Sequence, residues 1–302
     1  MKRFLITFLV FTTLFFITEK ASWYFVNNAP NRESDRRLEA VLKGGFNKEI
    51  LIIGSSRGAN NVLACQLEAE TGLTTYNLSY IGTNLNFHEF ILSSYLKFNK
   101  PPKQLLLFVD HKHTFKETKS LFFRYDVLFP FAKYEYINNK LIQDDKQSYA
   151  SKVIALLRLK RNDFSVKKKK APVNQRLTFC GSKPNTVKKK KEFEFIKTIE
   201  TYESSSEMQL LLKSFYNIQK LCKTNGIDLV IVNSPSFSTF NSGFNTRLNN
   251  LKWPENKSFI YDTLNPIYKN ISYFNDPSHL FLNGAKVFTS EISTFLTTTK
   301  KK

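Results

Sequence analysis

The 302-residue chain reads as an α/β protein, a three-layer α/β/α sandwich around a central parallel sheet, preceded by an apolar N-terminal helix. Three observations predict this. Short, near-continuous apolar runs alternate with stretches of helical spacing, as strands buried on both faces of a parallel sheet do. Glycine, asparagine or proline closes most of the helical stretches. With 42% hydrophobic residues, the chain can fill a core of one large domain.

The first 26 residues stand apart. Met1-Lys2-Arg3 precedes a charge-free run from Phe4 to Thr18, followed by Glu19-Lys20 and an amphipathic stretch ending Trp23-Tyr24-Phe25-Val26. The charge-free run alone is short for a membrane span, but continued to Val26 the helix reaches about 35 Å. A cleaved signal needs small residues first and third before the cut, and cuts after Ala21 or Ser22 place Glu19 or Lys20 at the third position instead. The expectation is therefore an uncleaved signal anchor over residues 1–28, spanning through 4–26, with Trp23 and Tyr24 at an interface. Residues 29–302 then form the extracytoplasmic part of a single-pass protein. A cleaved signal and a buried core helix are the alternatives.

Ser34 to Lys43 is a short helix candidate stopped by Gly44-Gly45. Glu49 to Ile53 is the first strand, and Asn60 to Glu70 has helical spacing closed by Gly72. Thr74 to Leu78 is the second strand, His88 to Phe98 a helix ended before Pro101-Pro102, and Leu105 to Val109 a wholly apolar third strand. Met208 to Lys223 is an amphipathic helix stopped by Asn225-Gly226, Asp228 to Val232 a further strand, and Leu282 to Leu296 the last helix. Residues from about 115 to 205, aromatic and then polybasic, fit this alternation worst and read as an irregular or partly helical insertion.

The net charge of +20 invites a nucleic-acid reading. Much of the excess lies in the runs Lys167–Lys170, Lys188–Lys191 and Lys300–Lys302, which are typical of solvated loops and tails. No aromatic-basic RNA-binding signature accompanies them, so nucleic acid is not an expected partner; anionic lipid and acidic polysaccharide remain. Cys65, Cys180 and Cys222 are too few and too scattered to imply a disulfide framework or a metal site.

Two short motifs carry the chemistry. Gly54-Ser55-Ser56-Arg57-Gly58 follows the first strand, at the carboxyl end where parallel sheets present functional residues. A helix start there offers free N–H groups and partial positive charge. A plain capping turn would use the same residues. The spacing also matches a nucleophile elbow, but only the anchor and one short helix precede this strand and turn, where the α/β-hydrolase fold places several strands. Some 220 residues on, Asp276-Pro277-Ser278-His279 sets a carboxylate three residues before an imidazole. The bland alternative is an Asx-Pro turn with an incidental histidine.

The combination resembles the SGNH/GDSL hydrolase superfamily, in its membrane-anchored, envelope-associated branch. Gly54-Ser55-Ser56 corresponds to the first block, with serine for the usual aspartate. The run Tyr76 to Asn84 corresponds to the second block, and Asp276-Pro277-Ser278-His279 matches the last in spacing. The resemblance covers residues 47–110 and 225–296, roughly, and implies a flavodoxin-like sheet. It further implies catalysis by Ser56, His279 and Asp276, an oxyanion hole from the N–H groups of Ser56 and Gly82 with Asn84 as a further donor candidate, and no cofactor. The implied activity is that of a serine esterase or O-acyltransferase on ester groups of an envelope polysaccharide. The third block departs from the family: Val109-Asp110-His111-Lys112-His113 stands where an asparagine donor is usual. Asp110 and His111 are expected to line the crevice, and with His113 they raise a metal site as a lesser alternative. The departure favours a competing expectation, a catalytically weak relative that binds polysaccharide or an envelope partner. His88, in a helical pattern, is expected to be structural.

Overall fold

The computed structural model describes all residues except 165–166, 174–175, 188–191, 199–200 and 299–302. Two of the three lysine runs, 188–191 and 300–302, thus lie outside the described residues. In chain order the first elements are α1 (Lys2–Arg32), α2 (Arg37–Lys43), β1 (Ile50–Ile53), α3 (Ser56–Asn61), α4 (Ala64–Thr71) and β2 (Thr75–Asn77). Next come α5 (Leu85–Phe98), β3 (Gln104–Val109), α6 (Tyr125–Leu128) and α7 (Glu135–Gln143). The chain continues through α8 (Gln209–Thr224), β4 (Asp228–Asn233), α9 (Ser242–Leu251) and β5 (Lys257–Ile260). It ends with β6 (Phe274–Asp276), β7 (His279–Leu280) and α10 (Leu282–Thr298).

Internal contacts divide the chain into two units, one of Met1–Glu39 with Arg124–Ala171 and one of Ala40–Phe123 with Pro172–Lys302. In the first unit α1 changes character along its length. Residues 2–21 are almost wholly exposed, and the helix is long and apolar enough to cross a membrane. Hydroxyls of Thr7, Thr12, Thr13 and Thr18 return to carbonyls one turn back at 2.8–3.0 Å, so the apolar stretch carries no loose donor. From Ser22 onward Val26, Ala29, Pro30 and Arg32 are buried. Short 3-10 turns between residues 129 and 164 pack on this half, so the expected irregular, partly helical segment gives the helix a protein cover.

In the second unit five parallel strands run in the order β2-β1-β3-β4-β5, the flavodoxin-like order. Helices α5 and α8 pair on one side of the sheet, while α3, α4 and α10 pack together on the other. That makes β1 and β3 buried along their whole length, which is why they read as unbroken apolar runs. Leu211, Phe215, Ile218 and Cys222 of α8 recur at helical spacing and face inward, as do Ala285, Phe288, Ile292 and Leu296 of α10.

Boundaries differ from expectation where side chains cap the backbone. The helix expected over 60–70 is two helices, broken at Val62-Leu63. There Thr289 Oγ1 accepts from Leu63 N at 3.0 Å and Ser182 Oγ from Ala64 N at 2.9 Å. Helix α5 starts three residues early because Asn84 caps it, its Oδ1 accepting from Phe87 N at 3.2 Å. Helix α9, strand β5 and the β6–β7 hairpin were not expected. The cysteines also depart from expectation: Cys65 and Cys180 form a disulfide across 115 residues, with 5.2 Å between their Cα atoms. Such a separation hides a pair from sequence. Cys222 is free and buried on α8.

Candidate active site

Close packing shapes the turn after β1. A Cβ on Gly54 would lie 2.6 Å from that of Phe108, and one on Gly58 would overlap Ser79 Oγ. Ser55 is the N-cap of α3, accepting from Arg57 N at 3.4 Å while its hydroxyl donates to Asp110 Oδ1. Ser56 is then the first helical residue, where a backbone N–H has no intrahelical acceptor. The exit of β2 runs alongside, with Leu78 N donating to Ile52 O at 2.7 Å and Tyr80 N to Gly54 O at 3.0 Å. At Gly82 the chain adopts φ +75°, a left-handed turn that favours glycine.

Asp276 and His279 sit opposite each other across the β6–β7 hairpin. Ser278 N donates to Asp276 Oδ1 at 3.0 Å, and Pro277 O accepts from Phe237 N at 2.9 Å. Asn61 Oδ1 accepts from Leu280 N at 2.9 Å, which binds the hairpin to α3, the helix that carries Ser56. His279 Nδ1 lies 2.7 Å from Asp276 Oδ1, and its Nε2 lies 2.7 Å from Ser56 Oγ. An ionised carboxylate only accepts, so the proton belongs on Nδ1 and Nε2 is left to accept from the serine hydroxyl.

Behind this row lies a buried polar layer. Arg57 Nη1 donates to Ser236 Oγ at 2.7 Å and Ser234 O at 3.4 Å, and its Nε is 3.8 Å from Asp110 Oδ1. Burial pushes the Asp110 carboxyl up, against the opposing pull of Arg57 and the Ser55 hydroxyl. His111 has φ +47°, unusual outside glycine, and its Nε2 lies 2.8 Å from Ser234 O, which fixes the ring proton on that nitrogen. Burial, followed by the charge of Arg57, lowers His111 to about 3 and keeps the ring neutral.

A cavity of about 580 Å³ opens over Ser56 and is lined also by Arg57, Gly82, Asp110, His113 and His279. The structure therefore brings Ser56, Gly82, Asp110, Asp276 and His279 to one crevice. Two expected residues lie elsewhere. Asn84 caps α5 and is absent from the cavity wall, because its position after Thr83 begins a helix. His111 turns to Ser234 and lines an adjoining cavity of about 280 Å³. Asp110, His111 and His113 do not converge, and among the described residues no group of three or more His, Cys, Asp or Glu side chains could hold a metal ion.

Sequence reasoning passed over Arg57, Asn60, Asn185 and Asn275, which also line the crevice. Arg57 lies within the first motif and Asn275 adjoins the second, so both could have been found there. Asn185 lies in the irregular segment, and nothing local marks it. His88 is buried in α5, as expected, with Nε2 3.0 Å from Thr83 Oγ1. No protein-family model and no curated protein sequence matches this chain.

Proposed function

We propose that this protein is an SGNH-type serine esterase or O-acyltransferase, held at a membrane by α1 and acting outside the cytoplasm on ester groups of an envelope polysaccharide. One observation carries the reading: the continuous Ser56–His279–Asp276 relay at 2.7 Å per link, on the wall of an open crevice. His279 Nε2 takes the Ser56 proton as Oγ attacks the ester carbonyl, while Asp276 holds the tautomer and stabilises the imidazolium. The N–H groups of Ser56 and Gly82 stabilise the oxyanion. His279 then protonates the departing alcohol, leaving an acyl group on Ser56. Water or a sugar hydroxyl, deprotonated by the same imidazole, releases it.

The apolar N-terminal helix and the Cys65–Cys180 disulfide support a secreted or anchored setting, since disulfides persist in oxidising compartments. The sheet order and the site's place at the carboxyl ends of its strands support the family resemblance. Asp110 favours a second reading, a binding protein with little turnover. A carboxyl stands where the family supplies an oxyanion donor, and losing one donor costs about 100- to 1000-fold in rate. Hydrolysis of a small acetate ester separates the two. The enzyme reading expects turnover that Ser56→Ala removes; turnover absent from the wild type, or unchanged in Ser56→Ala, contradicts it.

A further inference from the structure

We infer that the segment from Tyr149 to Phe164 docks on the membrane interface beside α1, its apolar side chains among the lipid headgroups and its lysines against anionic lipid phosphate. The inference rests on the reading of α1 as a membrane anchor. The exposed part of α1 runs to Ala21 and its protein-covered part begins at Ser22, so the membrane-facing stretch ends within about one turn of Glu19. Protein packed beside that point lies at the level where hydrocarbon gives way to headgroups.

The flanking structure suits that position. Glu19, which ends the charge-free stretch, accepts from Ala155 N at 2.7 Å, so the turn Ala155–Arg158 lies level with the end of the span. The Arg158 guanidinium sits 4.9 Å from the Trp23 ring centroid and donates to the carbonyls of Ser151, Lys152 and Ala132. These three carbonyls are thus satisfied within the protein. At the same level apolar side chains face outward: Val153 is 80% exposed, Tyr149 71%, Leu156 43% and Leu157 38%. Phe164, half exposed, packs on Phe25 with 5.3 Å between ring centroids.

So many exposed apolar groups within a few residues mark a surface that meets something apolar. Continuity with the anchor identifies it as lipid. The charged residues agree: Lys152 Nζ lies 4.7 Å from the Tyr149 ring centroid and Lys160 Nζ 4.5 Å from that of Phe129. Each pairs an aromatic body with an ammonium tip, the composition of an interfacial belt. Lys167–Lys170 follow in the same unit, with Lys169 N donating to Arg32 O at 2.8 Å. Basic groups at this level attract an anionic leaflet.

Tryptophan quenching in vesicles of phosphatidylcholine and phosphatidylglycerol tests this. The full-length chain carries Trp23→Phe and Trp253→Phe, with one indole restored by Phe11→Trp, Val153→Trp or Tyr149→Trp; all three positions are exposed, so no core is disturbed. Phe11→Trp should lose most of its emission to bromine deep in the acyl chains. Val153→Trp and Tyr149→Trp should lose most of theirs to bromine near the headgroups, resist aqueous iodide, and be quenched less in phosphatidylcholine alone. If the Phe11→Trp indole is quenched by lipid while those at 149 and 153 respond only to iodide, the docking is overturned and the anchor stands. If the Phe11→Trp indole is also untouched by lipid, the anchor reading fails and the docking with it. Equal quenching in both lipid mixtures overturns the role given to the lysines.

Discussion

At the site, each residue's role follows from its hydrogen bonds. In the proposed mechanism Asp276 orients and stabilises His279, so Asp276→Asn, which favours the wrong tautomer, should lower ester turnover on the order of 10⁴-fold, read as kcat. Asp110 has a different task. It holds the Ser55 hydroxyl and faces the buried Arg57, so Asp110→Asn removes that guanidinium's nearest counter-charge. The expected result is a loss of about 1–3 kcal/mol in denaturant unfolding; an unchanged midpoint would show that Asp110 does not support Arg57.

Two histidines, His88 buried and His111 half-buried, contribute to the acid response. Burial lowers both His88 and His111 to about 3, from an ordinary value near 6.5. Between those values the unfolded chain binds protons that the folded chain does not. Their contribution is therefore full above pH 6.5 and is lost as pH falls toward 3, by at most about 1.4 kcal/mol per pH unit for each histidine. Unfolding midpoints measured from pH 7 down to about 5 should fall, and His88→Gln should flatten the slope. Ser56, Asp276 and His279 were legible because their chemistry depends on residue type and short spacing. The turn of His111 toward Ser234 was not, since it depends on φ +47° and on tertiary contacts.

Elements were legible where burial is one-sided or complete. Strands β1 and β3 and helices α8 and α10 announce themselves by apolar runs or helical spacing. Helix α9 buries only Phe244 and Leu248 in an asparagine-rich stretch, and β5 pairs only with β4 and is half exposed, so neither leaves a strong pattern. The hairpin strands have three and two residues, too few to show alternation. The Cys65–Cys180 bond depends on the fold bringing α4 to the irregular segment, where Cys180 O also accepts from Asn77 N at 2.9 Å. Removing it with Cys65→Ala and Cys180→Ala should cost about 2–4 kcal/mol, checked by denaturant unfolding against the oxidised wild type.

For the molecule as a whole, the sequence predicted an apolar helix and an α/β domain, and both are present. It did not reveal that residues 124–171 join the helix in a unit of their own, because that association rests on contacts more than a hundred residues apart, such as Ala155 to Glu19. The central claim is that Ser56 is a nucleophile activated by His279. Intact-protein and peptide mass spectrometry after treatment with a fluorophosphonate tests it most directly. The prediction is one covalent adduct, located on Ser56, formed by the wild type and lost in both Ser56→Ala and His279→Gln. A wild type that stays unmodified, or one whose adduct persists in His279→Gln at the same rate, would contradict it.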